Sequence, residues 1–361
     1  MENSGRDLAA IQYLRGIAAL MVVMVHVDYQ LGRLAKPLGL DLFAAGVDIF
    51  FVISGFIMWV STARSPDRTA GQFLRDRIAR IVPLYWSVTL FVAAVALLVP
   101  TAMQSTRFDP ALLVASLFFI AWPNPSFNGD LAPLLVAGWT LNLEMFFYLL
   151  FALAMRLTDW QPARFALIVG MIVSAALAAI FVPGLPPEVL FYGQNLIIEF
   201  AFGLALGWLW LNRRPRQSGL WWLVSIAGFI GIFIEPLREV LPAFLAVGVP
   251  AAMVVAGAIL APTPRFPVLR MLGDSSYALY LTHALALSVL AQILKRLGLV
   301  GMPTALIVIL CIAVSVTSGW IIYRLIERPL TQGAKWALGR GKPGARQPSA
   351  ATTVTRKQVA R

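Results

Sequence analysis

An all-α integral membrane bundle of about ten transmembrane helices, both termini cytoplasmic, is the fold this sequence predicts, on three observations. Hydrophobic residues make up 59% of the chain and charged residues 13%, outside the range of soluble domains. Runs of about 20 apolar residues, enough to cross some 30 Å of hydrocarbon, recur along the chain. Positive charge is distributed unevenly between alternate connecting segments. With the N-terminus inside, all but Arg33, Lys36, Arg107, Arg238, Lys295 and Arg296 of the 29 Lys and Arg residues fall on cytoplasmic segments, where short loops collect basic residues.

The expected spans run over 8–29, 43–62, 81–100, 138–156, 165–183, 193–211, 220–235, 242–260, 275–294 and 303–323. The first contains Arg15 and lacks a small-residue cleavage site, so it is expected to be a retained span rather than a signal peptide. Residues 111–122 are apolar but bracketed by Pro110 and Pro123. That length is too short to cross and suits an interfacial or re-entrant helix. Residues 1–335 then form one membrane domain, and 336–361 a basic cytoplasmic tail. From Arg340 onward the tail is rich in Gly, Pro, Ser and Thr, a composition that does not fold.

The net charge of +12 is explained by these basic loops and tail, with anionic membrane lipid as the counter-charge, rather than by nucleic acid. Cys311 is the single cysteine and there are two histidines. An internal disulfide is excluded, and a zinc or other metal site is not expected.

Ionisable residues inside the spans are the candidates for chemistry, because they are costly there and by default functional. Arg15 and His26 lie eleven positions apart in one run, LRGIAALMVVMVH. Eleven helical steps overshoot three turns by roughly 20° and rise about 16 Å, so both share one face. Histidine titrates near working pH and can act as a general base. Arg77 and Arg80 (FLRDRIARIVPLYW) are i,i+3 neighbours, a face suited to phosphate, although spacing alone favours ordinary inner-loop charge. Glu144 in GWTLNLEMFFYLLF shares a face with Tyr148 one turn on. Asp48 (GVDIFFVISGF) and Glu199 (NLIIEFAFGLALG) are two further buried acids. In GDSSYALYLTHA, Tyr277, Tyr280 and His283 spread over a broad face, and His283 reads as a packed, hydrogen-bonded side chain.

These segments, in this order, resemble the acyltransferase 3 family of membrane-bound acyltransferases. The matching stretches are YLRGIAALMVVMVH, AGVDIFFVISGFIM, RDRIARIVPLYW, WTLNLEMFFYL, GDSSYALYLTHA and YRLIERP, from about residue 11 to 329. Within the family the chain looks like the exopolysaccharide O-acyltransferase branch, which acetylates or succinylates surface sugars. The resemblance implies acyl-coenzyme A as co-substrate with no bound cofactor, and a hydroxyl of a carbohydrate acceptor. It implies a place in the bacterial inner membrane, beside polysaccharide biosynthesis machinery. Arg15 and His26 match the essential Arg and His of the first span, and Arg77 and Arg80 match the paired arginines that serve the donor. Glu144 is followed by Met145, where many members carry a second acid. Acceptor handling is expected from the bundle and its outer loops, chiefly 101–137.

The expected mechanism has His26 as base, Glu144 orienting it, and Arg15 guiding the donor or stabilising negative charge. A transient acyl-histidine stays open. So do two rival readings: a proton-coupled transporter of glycans or organic acids, in which the same residues would form a relay, and a non-catalytic scaffold of a polysaccharide-export assembly.

Overall fold

Helices account for every regular element in a computed structural model that describes residues 3–34, 37–102, 106–213 and 217–340. Among them the sole β-pairing is an isolated bridge between Pro123 and Leu131. In chain order the helices are α1 (Asn3–Leu34), α2 (Gly46–Ala63), α3 (Ala70–Leu98), α4 (Pro110–Leu117) and α5 (Trp139–Leu157). Then come α6 (Gln161–Phe181), α7 (Pro187–Tyr192), α8 (Ile197–Arg213), α9 (Trp221–Ile232) and α10 (Glu235–Val240). The last are α11 (Val249–Leu260), α12 (Pro267–Asp274), α13 (Ser276–Arg296), α14 (Thr304–Ile322) and α15 (Arg328–Lys335).

Eight helical segments are long and apolar enough to cross a membrane. They are α1, α2, α3, α5, α6, the α7–α8 run, α13 and the continuous α14–α15 run. The runs expected over 220–235 and 242–260 form shorter apolar helices, α9 and Phe244–Leu260. The described residues thus form a multi-pass membrane protein with eight helical segments long enough to cross, and two shorter apolar helices in the places of the other two expected spans. α4 has eight residues, about 12 Å of helix, which is too short to cross. Asp109 caps it by accepting from Leu112 N at 2.6 Å, and Pro110 occupies its first turn. Trp336–Arg340 runs on from α15 as a π-turn. The rest of the predicted disordered tail, 341–361, and Lys36, Arg214 and Arg216 of the charge pattern lie outside the described residues.

Between helices in a membrane the hydrophobic effect supplies little, so close packing through small residues does much of the work. α2 and α8 meet in this way. A Cβ on Gly55 would lie 2.2 Å from Phe200 O, and one on Gly203 would lie 2.0 Å from Val52 O. Glycine is required at both positions because the backbones touch. Beside this crossing Phe200 is stacked between Phe51 and Phe147, with centroids at 4.7 and 4.3 Å. α5 thereby packs against α2 and α8.

Candidate active site

The first site element is α1. Its register is set by α12, where a Cβ on Gly273 would fall 2.0 Å from Gln12 O. That contact holds Arg15, one turn further along α1, at a cavity of about 150 Å³ between α1, α2, α3, α5 and α13. α3 starts at a capping box, in which Thr69 Oγ1 accepts from Gln72 N (3.2 Å) and Gln72 Oε1 accepts from Thr69 N (3.0 Å). Two to three turns later the same helix delivers Arg77 and Arg80 to the cavity wall. α5 supplies Glu144 and Tyr148, α2 supplies Ser54, and α13 supplies Tyr277 and Tyr280. Arg15, Arg77, Arg80, Glu144, Tyr148 and Tyr277 therefore converge, although they come from four separate helices.

The charges in this cavity are unequally satisfied. Arg80 Nη1 donates to Glu327 Oε1 at 2.5 Å, and the other oxygen of Glu327 accepts from Ala278 N at 3.1 Å. Glu327 is fully buried and ends a π-turn, Tyr323–Glu327, that interrupts the α14–α15 run. It ties α3, α13 and the last helix together. Glu144 Oε1 accepts from Ser54 Oγ at 2.9 Å and from the Tyr148 hydroxyl. Arg15 and Arg77 form no ion pair among the described residues. The Arg77 Nε is buried without a hydrogen-bond partner. Neither guanidinium is in a direct ion pair: Glu144 acts on Arg15 across the cavity and the Tyr148 hydroxyl is the neighbour of Arg77. Three arginines therefore face one cavity carboxylate, and the surplus positive charge suits an anion. The remaining polar groups are fixed: Tyr280 OH is 2.8 Å from Thr140 Oγ1, and Tyr277 OH donates to Ile81 O at 2.7 Å.

His26 lies elsewhere. It is absent from the cavity wall and sits further along α1, against His283 of α13, with ring centroids 4.5 Å apart and planes at 84°. Its Nδ1 donates to Val22 O at 3.0 Å. The expected Glu144–His26 pairing is therefore corrected. Ser54 and Tyr148 hold the carboxylate at the cavity, away from the turn of α1 that carries His26. His283 is packed and hydrogen-bonded as expected, Nδ1 donating to Leu279 O at 3.1 Å, but its neighbour is the other histidine. Asp48 and Glu199 are buried and face each other between α2 and α8, outside the cavity wall. Sequence reasoning missed Ser54 and Glu327. Glu327 had a readable signal, a lone acid beside an apolar span in YRLIERP. Ser54 had none.

Fold, cavity and comparison together define a multi-pass membrane acyltransferase. Residues 8–324 match a family described as an acyltransferase domain, and the chain belongs to that family, acyltransferase 3. It is 36% identical to the exopolysaccharide production protein ExoZ of Rhizobium meliloti, over 80% of this chain and 89% of that protein. It is 27% identical to acyltransferase MdmB of Streptomyces mycarofaciens, over 96% of each. The peptidoglycan O-acetyltransferase OatA of Listeria monocytogenes is 25% identical, over 91% of this chain and 56% of that protein. No solved structure matches the chain.

Proposed function

We propose that this protein transfers an acyl group, acetyl in the simplest case, from cytoplasmic acyl-coenzyme A to a hydroxyl of a surface or exopolysaccharide sugar. The observation that carries the reading is the convergence of Arg15, Arg77 and Arg80 on one buried cavity in a chain of the acyltransferase 3 family. The similarity to proteins named for exopolysaccharide production and peptidoglycan O-acetylation supports a carbohydrate acceptor. In this reading ten helices cross the bacterial inner membrane, α9 and the Phe244–Leu260 helix included, and both ends are cytoplasmic. The arginine end of the cavity then opens inward, toward the donor.

The donor's phosphates dock at Arg77 with help from Arg15, while the charge of Arg80 is balanced by Glu327. The acyl-bearing arm extends through the cavity toward His26, about 16 Å further along α1. His26 takes the proton of the acceptor hydroxyl through Nε2, since Nδ1 is committed to Val22. The oxygen attacks the thioester carbonyl, and the thiolate leaves and is protonated. Glu144, fixed by Ser54 and Tyr148, lines the path of the arm and balances the arginine charge. Substrate is positioned by the bundle, and the histidine contributes about 10²–10⁴-fold as a general base.

The test is purified full-length protein in lipid nanodiscs, isotope-labelled acetyl-coenzyme A and an oligosaccharide from the relevant polymer, with ester formation read by mass spectrometry. Wild type forms the ester, and His26→Ala, inserted at the same level, loses at least 100-fold. An unchanged rate in His26→Ala removes the base. Failure to form ester with any oligosaccharide, alongside loss of the whole polymer in a deletion strain, replaces the enzyme reading with transport or assembly.

A further inference from the structure

The two histidines occupy α1 and α13, helices from opposite ends of the chain, yet their rings are in edge-to-face contact. Each Nδ1 lies at hydrogen-bond distance from the carbonyl one turn before it, Val22 O at 3.0 Å and Leu279 O at 3.1 Å. A carbonyl only accepts, so both Nδ1 atoms carry the hydrogen. In a neutral imidazole the other nitrogen is then a bare acceptor. Both rings are held in one tautomer, each with an unprotonated Nε2, in a shared apolar region. The Nε2 of His283 is fully buried and has no hydrogen-bond partner among the described residues.

A catalytic histidine is ordinarily oriented by a carboxylate, and the acids within reach are already engaged. Glu144 accepts from Ser54 and Tyr148. Asp28, further along α1, accepts from the backbone N–H groups of Leu38, Gly39 and Leu40 at 2.5, 3.1 and 3.1 Å. Asp48 on α2 faces Glu199 on α8. Tyr280 on α13 also borders the pair, its ring centroid 6.2 Å from that of His283, and Cys311 of α14 lies in the apolar cluster that includes the neighbouring Val27, Leu279 and Leu287. The Tyr280 hydroxyl is paired with Thr140.

We propose that His283 completes the proton site as a positioning residue: its unpartnered Nε2 lone pair, on the ring in edge-to-face contact with His26, stabilises the charge of the imidazolium formed there, while Val22 O holds the Nδ1–H that a carboxylate would ordinarily hold. This rests on the acyl transfer proposed above. In the step, the acceptor O–H bond breaks and its proton passes to His26 Nε2, while the oxygen forms a bond to the thioester carbonyl carbon. During the life of the tetrahedral intermediate the charged ring is held against the neutral one. The C–S bond then breaks, the proton passes to the departing thiolate, and His26 returns to its neutral tautomer. The fixed Nδ1–H contacts keep both Nε2 atoms available for each turnover.

The experiment separates the Nε2 role from packing. His283→Asn keeps a donor near the Nδ1 position, for the Leu279 carbonyl, and removes Nε2. His283→Gln places an amide near the Nε2 position. Both are measured in nanodiscs over a range of pH beside wild type and His26→Gln. The proposal expects kcat to fall at least tenfold in His283→Asn, with the donor KM within twofold of wild type. The acid limb of the pH–rate profile moves to lower pH, because one ring holds the proton less tightly than two. His283→Gln recovers part of the rate. Wild-type kcat and an unmoved acid limb in a folded His283→Asn protein overturn the proposal, as does an equal loss in both variants with no movement of the limb. If His26→Gln retains full rate, the general-base reading has failed instead, and that result is distinct from either.

Discussion

Glu327 is the residue through which the arginine end of the cavity is most directly perturbed. Its side chain is fully buried, and its partner Arg80 keeps 31% of its side chain exposed. Removing one member of a buried ion pair costs about 3–5 kcal/mol, because the other charge is left uncompensated. The exposure of Arg80 lets water screen part of that charge, so Glu327→Gln should cost about 2 kcal/mol, below that range. Gln retains an oxygen for the Ala278 N–H. Glu327→Ala also orphans that donor, adding about 1–3 kcal/mol, so Ala should destabilise roughly twice as much as Gln. Arg80→Gln combined with Glu327→Gln should recover part of the loss, since the pair is then neutral on both sides. The assay is unfolding in mixed micelles of lipid and denaturing detergent, followed by tryptophan fluorescence, with coenzyme A binding measured on the same samples. Freed from Glu327, Arg80 should raise coenzyme A affinity at low salt and steepen its salt dependence. Equal stability of the Gln and Ala variants with wild type, or strictly additive losses in the double variant, would refute the view that this pair clamps α3 to α13 and the last helix.

Two further outcomes follow from the packing. Gly203→Ala would put its Cβ 2.0 Å from Val52 O, so the α2–α8 backbones must part until that contact becomes an ordinary one. The overpacking should cost about 1–3 kcal/mol and, by moving Ser54 relative to Glu144, lower kcat by about tenfold or more; thermal stability and acyl transfer measured together check it. Ser54→Ala and Tyr148→Phe each remove one donor to Glu144, a loss of about 1.5–3 kcal/mol for a hydrogen bond to a charged group. Either should slow turnover by about tenfold or more if the carboxylate's placement matters, and initial rates at saturating donor report it.

The apolar runs and the arginine pattern were legible because a bilayer imposes length and charge rules directly on the chain. α1, α2, α5, α6, α8, α13 and α14 fall where the sequence placed spans, and α3 covers the span expected from 81 but already starts at Ala70, so Arg77 and Arg80 lie on the helix rather than in a loop before it. α9 and the Phe244–Leu260 helix came out shorter than expected because apolar composition does not report where a helix stops. Two charged members of the cavity were legible for a related reason: Arg15 and Glu144 stand out in an apolar background, whereas Arg77 and Arg80 lie in a basic stretch and were singled out by the family resemblance. Helical register correctly put Glu144 beside Tyr148, since they are one turn apart on one helix.

The sequence by itself determined a membrane bundle, its family and the roster of ionisable groups, because solvent exclusion acts residue by residue. Only the tertiary structure decided which groups meet. Glu327 met Arg80, Ser54 took the place beside Glu144 expected of His26, and His26 was set against His283. Such partners lie on different helices, and their meeting depends on crossings such as Gly55 with Gly203, where backbone contact sets the relative height of whole elements. Periodicity within one helix carries no record of that height, and the chemistry of this site depends on it.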